Sequence, residues 1–161
     1  GEVLGLADSF GVAFWKSQEA ANAILPMSGT VLMSLSSKEK IVAKIAKGFK
    51  ELGFKILATD GTKKFLEENN IESELILKIN QGRPNIVDAI FKKQIDLVIN
   101  TPIGKKSRID DSYIRKAAIK HKIPYMTTLA AAWATVQGIS ASLKNRGGIK
   151  SLQQYHSDIT L

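Results

Sequence analysis

The stretch of this chain best suited to holding an anion is Leu57-Ala58-Thr59-Asp60-Gly61-Thr62. It follows an apolar run with strand character, Phe54-Lys55-Ile56-Leu57, and precedes a helix predicted over 63–69. A strand that ends in Thr-x-Gly-Thr and opens a helix brings the Thr59 and Thr62 hydroxyls together with the free N–H groups of a first helical turn. Gly61 lets the backbone approach the bound group. The same residues also make an ordinary turn with an N-cap, so the other strand ends must be weighed with them.

The elements that would position this turn begin at Gly29. Residues 30–35 (TVLMSL) form a continuous apolar strand pattern, as expected when both faces of a sheet are covered. Ser36-Ser37-Lys38-Glu39 reads as a capping box, followed by Ile41, Val42, Ile45, Phe49 and Leu52 at helical spacing and a stop at Gly53. A second strand covers 54–58 and a third covers 74–79, with Lys78 at its end. After the loop Asn80-Gln81-Gly82-Arg83-Pro84, a helix is expected over 85–93 and a central strand over 95–99 (IDLVI). A polar loop, 104–108, leads to a helix capped by Asp110 or Asp111. A fifth strand covers 123–126, Thr127-Thr128 opens an alanine-rich helix over 129–143, and a last short helix covers 149–156.

Strands and helices alternating at these lengths predict an α/β fold: a three-layer, doubly wound, Rossmann-like sheet of about five parallel strands. In such sheets ligands sit beyond the carboxyl ends of the strands. Those ends carry Ser34 with Ser36 and Ser37, Thr59 to Thr62, Lys78, Asn100-Thr101 and Thr127-Thr128, with Asp60 the one carboxylate. They read as an electropositive, hydroxyl-lined phosphate pocket.

The rest of the composition narrows the classes. Length 161 and 44% hydrophobic content suit one domain with a core. Without cysteine the chain has no disulfide, thiolate metal site or cysteine nucleophile, and a reducing, cytoplasmic setting is favoured. Two histidines, His121 and His156, argue against a His-based metal cluster. Net charge is +8, yet the lysines lie along a solvated helix face and aromatics are only 7%, so a small phosphate ligand is expected rather than nucleic acid. No run has the length of a membrane span and no signal peptide opens the chain; no membrane partner is expected. The start at Gly1 suggests a piece of something longer. Residues 1–28, with a helix from Ser9 to about Ala23 and punctuation at Pro26 and Gly29, read as the tail of a preceding domain plus a linker, or else as an N-terminal helix of the same domain; 29–161 read as the phosphate-binding unit.

Several motifs together resemble the C-terminal regulatory domain of the carbamoyl phosphate synthetase large subunit, which has a methylglyoxal-synthase-like fold. They are Ala58-Thr59-x-Gly61-Thr62, Lys78-x-x-x-Gly82-Arg83-Pro84, Ile99-Asn100-Thr101, Asp110-x-Ser112-x-x-Arg115 and Tyr125-x-Thr127-Thr128-Leu129. Residues 1–25 resemble the end of the preceding ATP-grasp half. The resemblance implies a parent ligase that makes carbamoyl phosphate from bicarbonate, glutamine-derived ammonia and ATP, with Mg or Mn and K, for pyrimidine and arginine synthesis. It implies that this domain has no catalytic site or cofactor of its own, that it binds UMP or IMP as effector and helps bind ornithine, and that its partners are the rest of the large subunit and a glutaminase small subunit. The nucleotide phosphate would meet Lys38, Thr59, Gly61, Thr62 and Lys78; Ser34, Asn100 and Thr101 would line the pocket, and Thr127 would face ornithine. Three positions depart from the pattern: Pro102-Ile103 replaces a Thr-Ser pair, Lys105-Lys106 replaces arginines, and Asp60 replaces a frequent His.

Two other functions compete. A stand-alone methylglyoxal synthase acting on dihydroxyacetone phosphate would use the same rim but needs a carboxylate base. That family places it in a Gly-Asp step, where this chain has Gly82-Arg83, and Asp88 is expected as a solvated helical carboxylate. A nucleic-acid module would rest on charge alone.

Overall fold

The computed structural model describes residues 2–102, 105–144 and 149–159, with the side chains of 105–110 outside the description. In chain order the elements are α1 (Phe10–Ala20), β1 (Thr30–Leu35), α2 (Lys40–Glu51), β2 (Lys55–Ala58), α3 (Asp60–Glu68) and β3 (Glu74–Leu75). A 3-10 turn (Ile79–Gln81), α4 (Ile86–Phe91), β4 (Leu97–Thr101), α5 (Lys105–Lys120), β5 (Tyr125–Met126), α6 (Leu129–Lys144) and α7 (Leu152–Ser157) follow. The five strands form one sheet in the order β3-β2-β1-β4-β5, with every neighbouring pair parallel.

Side-chain alternation along the strands makes two cores. Val31, Met33 and Leu35 of β1, with Ile56 and Ala58 of β2 and Leu97 and Ile99 of β4, face Phe49 of α2, Leu66 of α3 and Val136 of α6. Leu32 and Val98 face the other way, onto Ile86 and Ile90 of α4 and Ile114 of α5. Burial on both faces is why β1 reads as an unbroken apolar run. The result is the expected three-layer α/β architecture, with helices on both sides of an all-parallel sheet.

Helix α1 lies outside this sandwich, against α6. A Cβ added at Gly11 would stand 2.8 Å from the Gln137 carbonyl oxygen, and one at Gly138 would stand 3.3 Å from the Phe14 ring. Glycine at both positions lets the two backbones approach more closely than alanine would allow. Leu25, just beyond α1, is fully buried in the larger core.

Several local expectations change. The Ser36–Glu39 capping box does not form: α2 begins at Lys40, with Glu39 at the cap and no side-chain capping bond, while the Ser37 hydroxyl bonds the Glu39 carboxylate at 2.9 Å. Helix α3 starts at Asp60, three residues earlier than predicted, because Thr59 takes the cap position. The third strand shrinks to two residues at the sheet edge, so Lys78 introduces a 3-10 turn instead of ending a strand. The middle strand is β1; β4, although fully buried over Leu97–Ile99, lies one place over. Helix α5 begins at Lys105, so Asp111 is an interior residue rather than a cap. Helix α1 ends at Ala20, with Asn22 at φ 56° turning the chain away.

Candidate functional site

Parallel pairing aligns the carboxyl ends of all five strands on one rim. In register, Met33 stands beside Ala58 and Ile99, Ser34 beside Asn100, and Leu35 beside Thr101. The order reverses between β1 and β4, the place where doubly wound sheets open a crevice. That junction is laced by the Thr101 hydroxyl, which accepts from the Ser36 N–H at 3.3 Å and lies 3.4 Å from the Ser36 hydroxyl.

The Thr-x-Gly-Thr turn stands on the other side of β1. Thr59 follows β2, with its N–H bonded to the Met33 carbonyl at 3.3 Å, and its hydroxyl is 3.4 Å from that of Thr62. The Thr62 hydroxyl is committed within the fold: it accepts from the Leu35 N–H at 2.9 Å and donates to the Leu35 carbonyl at 3.2 Å. Both threonines are buried. The N–H groups of Asp60 and Gly61, in the first turn of α3, have no acceptor among the described residues, and such orphan donors at a positive helix end favour an anion. The Asp60 carboxylate turns along the helix to Lys64, 3.2 Å away.

One ammonium group reaches this turn directly. Lys38, on the loop after β1, donates to the Gly61 carbonyl and, at 3.5 Å, to that of Leu35. Its pKa is held below the ordinary lysine value, first by burial and then by repulsion from Lys78. Lys78 makes no salt bridge among the described residues. A cation beside unpartnered N–H groups, repelled by a second cation, is the arrangement an incoming phosphate would relieve.

Of the residues expected at the site, Lys38, Thr59, Gly61 and Thr62 meet at the start of α3, and Lys78, at the head of the 3-10 turn, acts on Lys38 by charge. Ser34, Asn100 and Thr101 line the neighbouring β1–β4 ends. Thr127 is exposed at the end of β5, where Thr128 caps α6 through its hydroxyl, 3.1 Å from the Ala131 N–H. Ile103 and the Lys105 and Lys106 side chains lie outside the described residues. Asp88 is half-buried rather than solvated: its carboxylate accepts the Asn85 N–H at 2.9 Å and pairs with Arg83 at 3.5 Å. Two residues not expected at the rim join it. Asp111 and Tyr125 bracket Asn100, an arrangement no local pattern announces because it joins positions 100, 111 and 125 on three elements. A cleft of about 800 Å³ walled by Leu4, Trp15, Lys16, Glu19, Ile149, Lys150 and Tyr155 involves none of these residues.

Residues 42–127 match the family model of the MGS-like domain, and the chain belongs to that family. Its similarity to individual proteins runs almost end to end. It is 49% identical over 160 residues to the carbamoyl phosphate synthase large chain of Archaeoglobus fulgidus, covering 98% of this chain and 15% of that protein. It is 46% identical over 158 residues to the large chain of Acidobacterium capsulatum, covering 98% and 14%. With the C-terminal section of the large chain of Methanopyrus kandleri it shares 44% over 158 residues, covering 97% and 29%. The chain thus spans about one-seventh of the full-length relatives it matches.

Proposed function

We propose that this chain is the allosteric, nucleotide-binding domain of a carbamoyl phosphate synthase large chain. The observation that carries the reading is Lys38, bonded to the Gly61 carbonyl beside the open first turn of α3, with Lys78 close enough to repel it. A nucleoside monophosphate such as UMP or IMP would set its phosphate there, against Lys38, Lys78, the Asp60 and Gly61 N–H groups and the Thr59 hydroxyl. Thr62 would hold the turn in place, Ser34, Asn100 and Thr101 would face the rest of the nucleotide, and Thr127 would meet ornithine. Residues 29–161 would form the effector-binding unit, with 1–28 leading in from a preceding ATP-grasp domain.

On this reading the ligase chemistry, with ATP and metal ions, belongs to other parts of the large chain, with ammonia supplied by a glutaminase small subunit, in the cytoplasm. The domain itself would be non-catalytic. The use of Asp88 as a capping group paired to Arg83 supports this, because a methylglyoxal synthase needs a free carboxylate base. Calorimetric titration of UMP and of IMP tests the proposal. Thr59→Ala or Lys78→Ala should weaken binding by about 1–3 kcal/mol, the cost of one hydrogen bond to a charged group; equal affinity in wild type and variants would put the effector elsewhere.

A further inference from the structure

Asn100, Asp111 and Tyr125 form a closed triangle of polar atoms at the β4 end of the rim. Asn100 Nδ2 is 2.9 Å from Asp111 Oδ1 and 2.7 Å from Tyr125 Oη, and Tyr125 Oη is 2.5 Å from the same carboxylate oxygen. The chemistry sets the direction of each bond. Arg115 pairs with the other Asp111 oxygen at 3.3 Å and lies over the Tyr125 ring, and a carboxylate in an ion pair is an acceptor only. The phenol keeps its proton, its pKa raised by burial and by the bond to Asp111, so it donates to the carboxylate. The Asn100 nitrogen must then face inward. Asn100 Oδ1 has no partner among the described residues, yet it is not among the buried atoms sealed from solvent.

The geometry points to Asp111 and Tyr125 as positioning residues that lock the Asn100 carboxamide with its oxygen outward, making the β4 end of the rim an acceptor for a hydrogen-bond donor on the nucleoside. This deepens the nucleotide reading and rests on it. An outward carbonyl oxygen repels phosphate, so the phosphate belongs at the Lys38–Lys78 end and the neutral part of the ligand at the Asn100 end. The donor is a sugar hydroxyl or a base N–H.

The test uses the 161-residue chain with UMP, 2′-deoxy-UMP, N3-methyl-UMP and inorganic phosphate. Wild type should bind one of the two analogues about five- to ten-fold more weakly than UMP, the loss expected for one hydrogen bond; the deoxy analogue identifies the sugar and the methyl analogue the base. In Asp111→Ala the shared acceptor is gone and the carboxamide is no longer locked, so UMP should lose a similar factor and the analogue difference should vanish, while phosphate affinity stays at the wild-type value. Tyr125→Phe keeps the Asp111–Asn100 bond and should lose less. UMP binding unchanged in D111A, or phosphate affinity falling in step with UMP, overturns the proposal. If D111A does not fold, Asn100→Ala replaces it, and retention of the analogue difference there overturns the proposal. Wild type that binds neither UMP nor phosphate refutes the nucleotide reading itself.

Discussion

The two threonines of the Thr-x-Gly-Thr turn look interchangeable in sequence, and the structure predicts that they will separate on mutation. In Thr62→Val the shape is kept and one hydroxyl is lost. That hydroxyl is the partner of both the Leu35 N–H, at 2.9 Å, and the Leu35 carbonyl, at 3.2 Å, in a buried environment. Leaving a buried donor unpaired costs about 1–3 kcal/mol. For a chain of 161 residues each kcal/mol moves Tm by roughly 2–4 °C, so a loss of about 2 kcal/mol should lower Tm by roughly 4–8 °C. In Thr59→Val the lost hydroxyl has only a 3.4 Å contact with Thr62 and no capping bond, so stability should change by less than about 1 kcal/mol. Binding should reverse the order, with Thr59→Val the more damaging to UMP affinity. Urea unfolding and calorimetry on the same preparations measure both. A Thr62→Val protein that melts with wild type, or a Thr59→Val protein that is the less stable of the two, would refute this division of labour.

Gly11→Ala should destabilise the chain by about 1–3 kcal/mol in urea unfolding, because the new methyl would meet the Gln137 backbone at 2.8 Å; a neutral result would mean that α1 does not pack on α6 in solution. Nucleotide affinity should fall as salt is raised, and the dependence should flatten in the Lys38→Met, Lys78→Met double variant. On the alkaline side nucleotide binding should be accompanied by proton uptake: Lys38, depressed by burial and by Lys78, rises toward its usual pKa when an anion arrives. Calorimetry in two buffers of different ionisation enthalpy reads the sign, and proton release would contradict it. No methylglyoxal should form from dihydroxyacetone phosphate above background, given the Arg83–Asp88 pair. In the longer large chain, Thr127→Ala should weaken ornithine activation and leave UMP binding nearly intact.

The sequence by itself determined the alternation of elements, the parallel α/β class and the rim of hydroxyl and ammonium groups. Apolar periodicity is local, and a strand covered on both faces, such as β1, announces itself as an unbroken run. The family resemblance rested on such contiguous motifs, from Thr59-x-Gly61-Thr62 to Thr127-Thr128. Element ends were less legible. Ser36 to Glu39 has the composition of a capping box, but the chain leaving β1 is held by Ser36 on Thr101, and α2 starts one turn later. Edge strands β3 and β5 are two residues long, each paired with one neighbour. What each polar side chain does depended on tertiary contact. Thr62 serves Leu35, 27 positions away, rather than standing free at the rim, and Asp88 is drawn into a cap and an ion pair. Asp111, expected at a helix cap, meets Asn100 and Tyr125 because β4, α5 and β5 bring 100, 111 and 125 to one point. Hydrogen-bond direction at a site is a property of all the groups that converge there, and no spacing along a single segment encodes it.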